Sequence, residues 1–155
     1  MNHSIDHARV KVHPPVLLLV HLFLVFLLNR LYPLPLAFPT ALTWIGYLLV
    51  VSGIGLAFSA VRRFMQAHTT LDPHGSVSMV VTNGPYNFSR NPIYLGFVCL
   101  LVGFSFIFKS WWGLSLSPIM MIMLHQLVIR FEEAYLEKKF GEVYTGYKSR
   151  VRRWL

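Results

Sequence analysis

Four long apolar stretches dominate the chain, over about residues 16–31, 39–61, 92–108 and 111–129. Each approaches the roughly 20 residues that an α-helix needs to cross a hydrocarbon core, and the shorter first and third stay within the tolerated range. Spanning β-strands would alternate apolar and polar positions over about ten residues, and these stretches do not alternate. The pattern predicts an all-α, polytopic membrane protein with four transmembrane helices in a single domain over residues 1–155. Pro14-Pro15 stands at the entrance of the first helix, and Arg62-Arg63 closes the second. Lys109-Ser110 barely makes a turn, so the last two spans form a hairpin.

The connections differ in kind. Residues 32–38 are punctuated by prolines, whereas residues 62–91 form a long stretch rich in His, Thr, Gly, Asn and Pro. Long connections without periodicity of their own tend to be functional. Beyond the fourth stretch, residues 130–140 continue as a charged helix, Gly141 reads as its stop, and residues 142–155 form a basic, aromatic tail.

Charge orients this arrangement. With the N-terminus in the cytosol, twelve of the fourteen Lys and Arg residues fall on the cytosolic side, leaving Arg30 and Lys109 opposite. The positive-inside rule then places both termini, the 62–91 loop and the C-terminal helix and tail in the cytosol. The expected location is a bacterial inner membrane. Tyr32, Trp111 and Trp112 lie where interfacial aromatics anchor helix ends. The N-terminal residues 1–13 carry cations before an apolar stretch, as a signal peptide does, but no small-residue cleavage motif follows, so the stretch reads as a retained helix.

Composition agrees: 55% of residues are hydrophobic and 13% charged, against about a quarter charged in soluble domains. A net charge of +8 would suggest nucleic acid on a soluble chain. Here the cations lie between and after apolar runs, so topology and anionic lipid headgroups account for them and no nucleic-acid partner is expected. The lone Cys99 permits no intrachain disulfide or cysteine zinc site and reads as a small hydrophobe.

Ionisable residues in or beside spans carry a functional hypothesis by default. His21 reads as a neutral histidine bonded to a neighbouring helix. His125 and Glu132, seven apart on one helix, should share nearly the same face, with Glu133 turned about 80 to 100 degrees away. The competing reading is a solvated helix end. The seven histidines make no compact metal site, since only His3 and His7 have helical metal spacing and they lie in a terminus expected to fray. The stretch from Asn83 to Tyr94 is the most informative. Gly84-Pro85 marks a turn, Pro92 opens a helix, Asn91 is placed to cap it, and Arg90 stands beside the unpaired amides. An arginine at a helix N-terminus makes a seat for a carboxylate.

Gly84-Pro85-Tyr86 followed by Arg90-Asn91-Pro92-Ile93-Tyr94 resembles the signature of the isoprenylcysteine carboxyl methyltransferase family and the related phospholipid methyltransferases. A second block, Glu132-Glu133, Leu136, Phe140-Gly141, Tyr144 and Tyr147, then Val151 to Trp154, is similar as well. Together the blocks cover roughly residues 67–155. Asn91 replaces the histidine of many members, and Arg152 stands where many carry proline.

The resemblance implies transfer of a methyl group from S-adenosylmethionine to a lipophilic acceptor. It places Arg90 with Asn91 on the cofactor carboxylate and Glu132 with His125 on its amino group or ribose. Glu132 and Arg90 are the expected catalytic residues, and Gly84, Pro92 and Glu133 complete the expected cofactor set. Tyr86, Tyr94, Tyr144 and Tyr147 would wall the adenosine or orient the acceptor. Arg150, Arg152 and Arg153 would draw an anionic acceptor or hold the tail to lipid. No Gly-x-Gly-x-x-Gly follows a strand, so a Rossmann methyltransferase is excluded. The acceptor stays open between carboxylate, thiol and amine. A non-enzymatic membrane scaffold or small-ligand binder is the alternative.

Overall fold

The computed structural model describes residues 7–8, 10–37, 39–69 and 77–155. His3, His74 and Arg9 therefore lie outside the described residues, as do Phe38 and the centre of the 62–91 loop. Among the described residues the fold is helical, with one isolated bridge between Pro35 and Ser110. Helix α1 spans Pro14–Leu31, α2 Ala41–Gln66, α3 Pro92–Ile107, α4 Trp111–Leu124, α5 Arg130–Phe140 and α6 Glu142–Arg150. A 3₁₀ turn at Gly84–Asn87 precedes α3, and a wider π-turn at His125–Ile129 joins α4 to α5.

Among the described residues, three helical stretches are long and apolar enough to cross a membrane: Pro14–Leu31, Ala41–Gln66 and the continuous Trp111–Phe140. Helix α3 is equally apolar but has 16 residues. The second helix does not stop at Arg62-Arg63 as expected; it runs on to Gln66. Arginines are good helix formers whose long stems let the guanidinium reach water from a helix end. The turn comes at Ala67 and His68, the latter with φ 48°.

Helices α2 and α3 pack antiparallel at backbone contact. A methyl added at Gly46 would sit 2.8 Å from the Gly103 carbonyl, and one added at Gly53 would sit 2.8 Å from the Gly96 carbonyl. In lipid, where apolar burial gives little drive, such small-residue seams let backbones approach and gain dispersion contact. The short α3 is thus held along its length by α2. At one end of the bundle the 32–37 connection lies on the α3–α4 turn: Leu36 N–H donates to Lys109 O at 2.7 Å, Trp111 N–H to Leu34 O at 3.1 Å, and the Trp112 indole to Tyr32 O at 2.8 Å.

The opposite end carries the polar motifs. The 142–155 stretch, expected as a tail, forms α6 after Gly141, whose φ of 50° suits a glycine at the helix junction. Of the N-terminal stretch expected to fray, the described part from position 7 packs instead: Ala8 and Val10 are buried, and Lys11 N–H donates to Leu127 O at 3.0 Å. That carbonyl lies in the π-turn, where wider winding leaves a backbone acceptor outside the regular ladder.

Candidate functional site

A cavity of about 140 Å³ opens where the ends of α2, α3 and α5 meet α6. Its walls include Phe64 of α2, Tyr86 of the 3₁₀ turn, Arg90 and Asn91, Ile93 and Tyr94 of α3, Glu132, Glu133 and Tyr135 of α5, and Tyr144 and Tyr147 of α6. The two sequence blocks, some forty residues apart, form one site. Pro92 opens α3 at its first position, and Pro85 is the second residue of the 3₁₀ turn, so each fixes φ where a missing N–H costs little.

The C-terminal segment is stitched to the loop before α3. Arg90 N–H donates to Arg152 O at 3.0 Å, Ser89 Oγ to Arg153 O at 3.3 Å, and Asn91 Nδ2 to the same carbonyl at 3.0 Å. Asn91 therefore occupies the N-cap position but does not cap α3, since its side chain turns to the tail.

The two neighbouring carboxylates have different surroundings. Glu133 accepts two hydrogen bonds from Arg153, Nε to Oε1 at 3.0 Å and Nη2 to Oε2 at 2.8 Å, and Arg90 Nη1 stands 3.2 Å from Oε1. Glu133 is thus an internal clamp between two arginines rather than a free ligand group. These bonds to the carboxylate hold the Arg153 guanidinium above its ordinary pKa. Glu132 faces the cavity and accepts a 2.7 Å hydrogen bond from the Tyr94 hydroxyl.

Arg90 has reserve capacity. Its side chain is 8% exposed, yet Nε and Nη1 have no hydrogen-bond partner among the described residues, the Glu133 contact being out of line for one. Buried donors are normally satisfied, so this guanidinium at the cavity wall has capacity for a further acceptor. Three of the cavity tyrosines lie outside the spans. Tyr147 is pushed up to about 12 by burial, and Tyr86 and Tyr144 are raised further, again chiefly by burial. They stay neutral phenols at any working pH and act as walls and donors, as Tyr147 does toward Tyr86 O at 2.8 Å.

The structure brings together Arg90, Asn91, Tyr86, Tyr94, Glu132, Glu133, Tyr144 and Tyr147. It does not bring in His125, Pro92 or Gly84. His125 begins the π-turn, and the extra residue there rotates it by about 100 degrees from the face it would share with Glu132 in a regular helix. Its Nδ1 is buried without a hydrogen-bond partner among the described residues. Pro92 is buried in the first turn of α3. Gly84 serves the backbone: its φ is 66°, and the Arg63 side chain passes 2.7 Å from where a Cβ would stand. Sequence reasoning missed Ala8, Tyr135 and the pairing of Arg153 with Glu133.

Apolar helices of spanning length mark an integral membrane protein, and a cavity walled by aromatic, apolar and charged side chains lies at one end of them. The chain belongs to the phospholipid methyltransferase family, whose model matches residues 41–143. That range takes in Arg90, Tyr94, Glu132 and Glu133 and leaves out Ala8 and the tail. The chain is also 39% identical over 67 residues to an uncharacterized protein of Haemophilus influenzae, covering 41% of this chain and 100% of that protein. No solved structure matches it.

Proposed function

We propose that the protein transfers the methyl group of S-adenosylmethionine to a lipophilic acceptor at the cytosolic face of a bacterial inner membrane. The observation that carries this reading is the cavity itself, where the buried Arg90 guanidinium, the Glu132 carboxyl and a wall of tyrosines face one space. Those groups match the cofactor's parts in kind: a guanidinium for its carboxylate, a carboxylate for its ammonium, and aromatic faces for its adenine and sulfonium. When bound, the cofactor supplies an electrophilic methyl group. Arg90 would orient its carboxylate end, and the rings of Tyr86, Tyr144 and Tyr147 would exclude water. Much of the acceleration in an in-line displacement comes from such alignment. A purified, detergent-solubilised sample should bind S-adenosylhomocysteine by calorimetry and move tritium from labelled S-adenosylmethionine onto lipophilic carboxylates, thiols or amines. No binding would overturn the reading. Binding without turnover on any acceptor class would leave a small-ligand binder.

The acceptor's lipophilic character rests on where the cavity lies, at the ends of apolar α2 and α3 with Phe64 and Ile93 in its wall. Four spans with cytosolic termini follow if α3, about 24 Å long at 1.5 Å per residue, crosses beside α2. The 32–37 connection and the α3–α4 turn already share one end of the bundle. Single cysteines replacing Lys109 and Ser149, in a Cys99→Ser background, should then label from opposite sides of intact membranes. Labelling from the same side would sink this topology.

A further inference from the structure

Residues 41–143 account for most of the cavity but not for all of it. Ala8, far upstream of that range, is 3% exposed and contributes to the wall. It is held there by three features of the same strap. Val10 is 8% exposed in the core formed by α1, α3 and α4. Lys11 N–H donates to Leu127 O at 3.0 Å, in the π-turn just before the Glu132 helix. The Lys11 ammonium lies 5.7 Å from the centre of the Phe131 ring, next to Glu132 in sequence.

A strap pinned to the π-turn on one side and touching the cavity on the other does more than anchor a terminus. A π-turn inside a helix is costly and recurs at functional sites. Here it offers the Leu127 carbonyl to the strap, and the bonded strap sets Ala8, the smallest apolar side chain of the lining, against the cavity.

We propose that the N-terminal strap is part of the ligand site, and that Ala8 is a specificity-determining residue that limits what fits on that side of the cavity. The inference rests on the cavity being the cofactor and acceptor site. A bulkier side chain at position 8 would project into space the ligand needs. A mere packing role would instead show in stability alone.

The test uses the full-length protein in detergent with S-adenosylhomocysteine as probe. Ala8→Leu should weaken binding at least tenfold, while Val10→Ala, which loosens packing without entering the cavity, should lower the melting temperature and leave affinity within about twofold. Because Ala8→Leu itself could misfold, Ala8→Cys in a Cys99→Ser background provides a second arm. Its modification by methyl methanethiosulfonate should abolish binding, and saturating S-adenosylhomocysteine should slow that modification at least tenfold. Wild-type affinity in Ala8→Leu, or equal modification with and without ligand, would overturn the inference and leave the function standing. Failure of the wild-type protein to bind the probe would instead overturn the functional reading, and the inference with it.

Discussion

Glu133→Ala is expected to cost about 3 kcal/mol of stability, because removing one partner of a buried ion cluster leaves uncompensated charge behind. Two guanidiniums would lose their counter-ion together. Arg90 is 8% exposed on its side chain, so it has almost no access to water. The cost falls at the low end of the range for broken buried pairs since the Arg153 side chain is 34% exposed and can rehydrate. Arg153→Gln should be milder, about 1 kcal/mol, because Glu133 keeps Arg90 beside it. The ordering is the discriminating part. Denaturation followed through α-helical circular dichroism in one detergent should rank wild type above Arg153→Gln and that above Glu133→Ala. A Glu133→Ala protein as stable as wild type would show that the cluster does not hold the tail to the helices. The tail itself should report the loss, since its carbonyls at Arg152 and Arg153 bond to the 89–91 turn.

What the sequence made legible follows from which signals are local. Apolar runs and prolines placed α1, α3 and α4 within about two residues at each start, because lipid enforces helix wherever a long apolar run occurs. Arg62-Arg63 was misread as a stop because charge marks where a helix leaves lipid, not where it unwinds. The two motif blocks came together because each sits on a helix end fixed by Pro92 or by the α4–α5 helix. The π-turn had no readable signature in His125-Gln126-Leu127-Val128-Ile129, and it undid the expected His125–Glu132 face. The N-terminal strap was invisible for a related reason: its partner is a backbone carbonyl exposed by that same turn. Arg153 looked like one cation of a lipid-facing cluster, and only tertiary proximity reveals its fork on Glu133.

The neighbouring carboxylate has the opposite expectation. Glu132→Gln should leave the fold intact, since the amide keeps the shape and can still accept from Tyr94, now at 2.7 Å from Oε1. Its effect should fall on function, and the pattern of loss identifies its job. If Glu132 holds the cofactor's ammonium, affinity for S-adenosylhomocysteine drops by about 1–3 kcal/mol, the worth of a hydrogen bond to a charged group, and every acceptor suffers alike. If it takes a proton from the acceptor, binding survives while turnover falls by about 10²- to 10⁴-fold. That second outcome is restricted to amines and thiols, because a carboxylate acceptor arrives already deprotonated and needs no base. Tyr94→Phe separates the two further, removing the donor that orients Glu132 while keeping its charge. It should reproduce a weaker version of whichever loss Glu132→Gln shows. Measuring binding by calorimetry and turnover by tritium transfer on the same samples gives both numbers at once. Unchanged affinity and unchanged turnover in Glu132→Gln would remove this residue from the site and leave Arg90 as the cavity's principal charged contact.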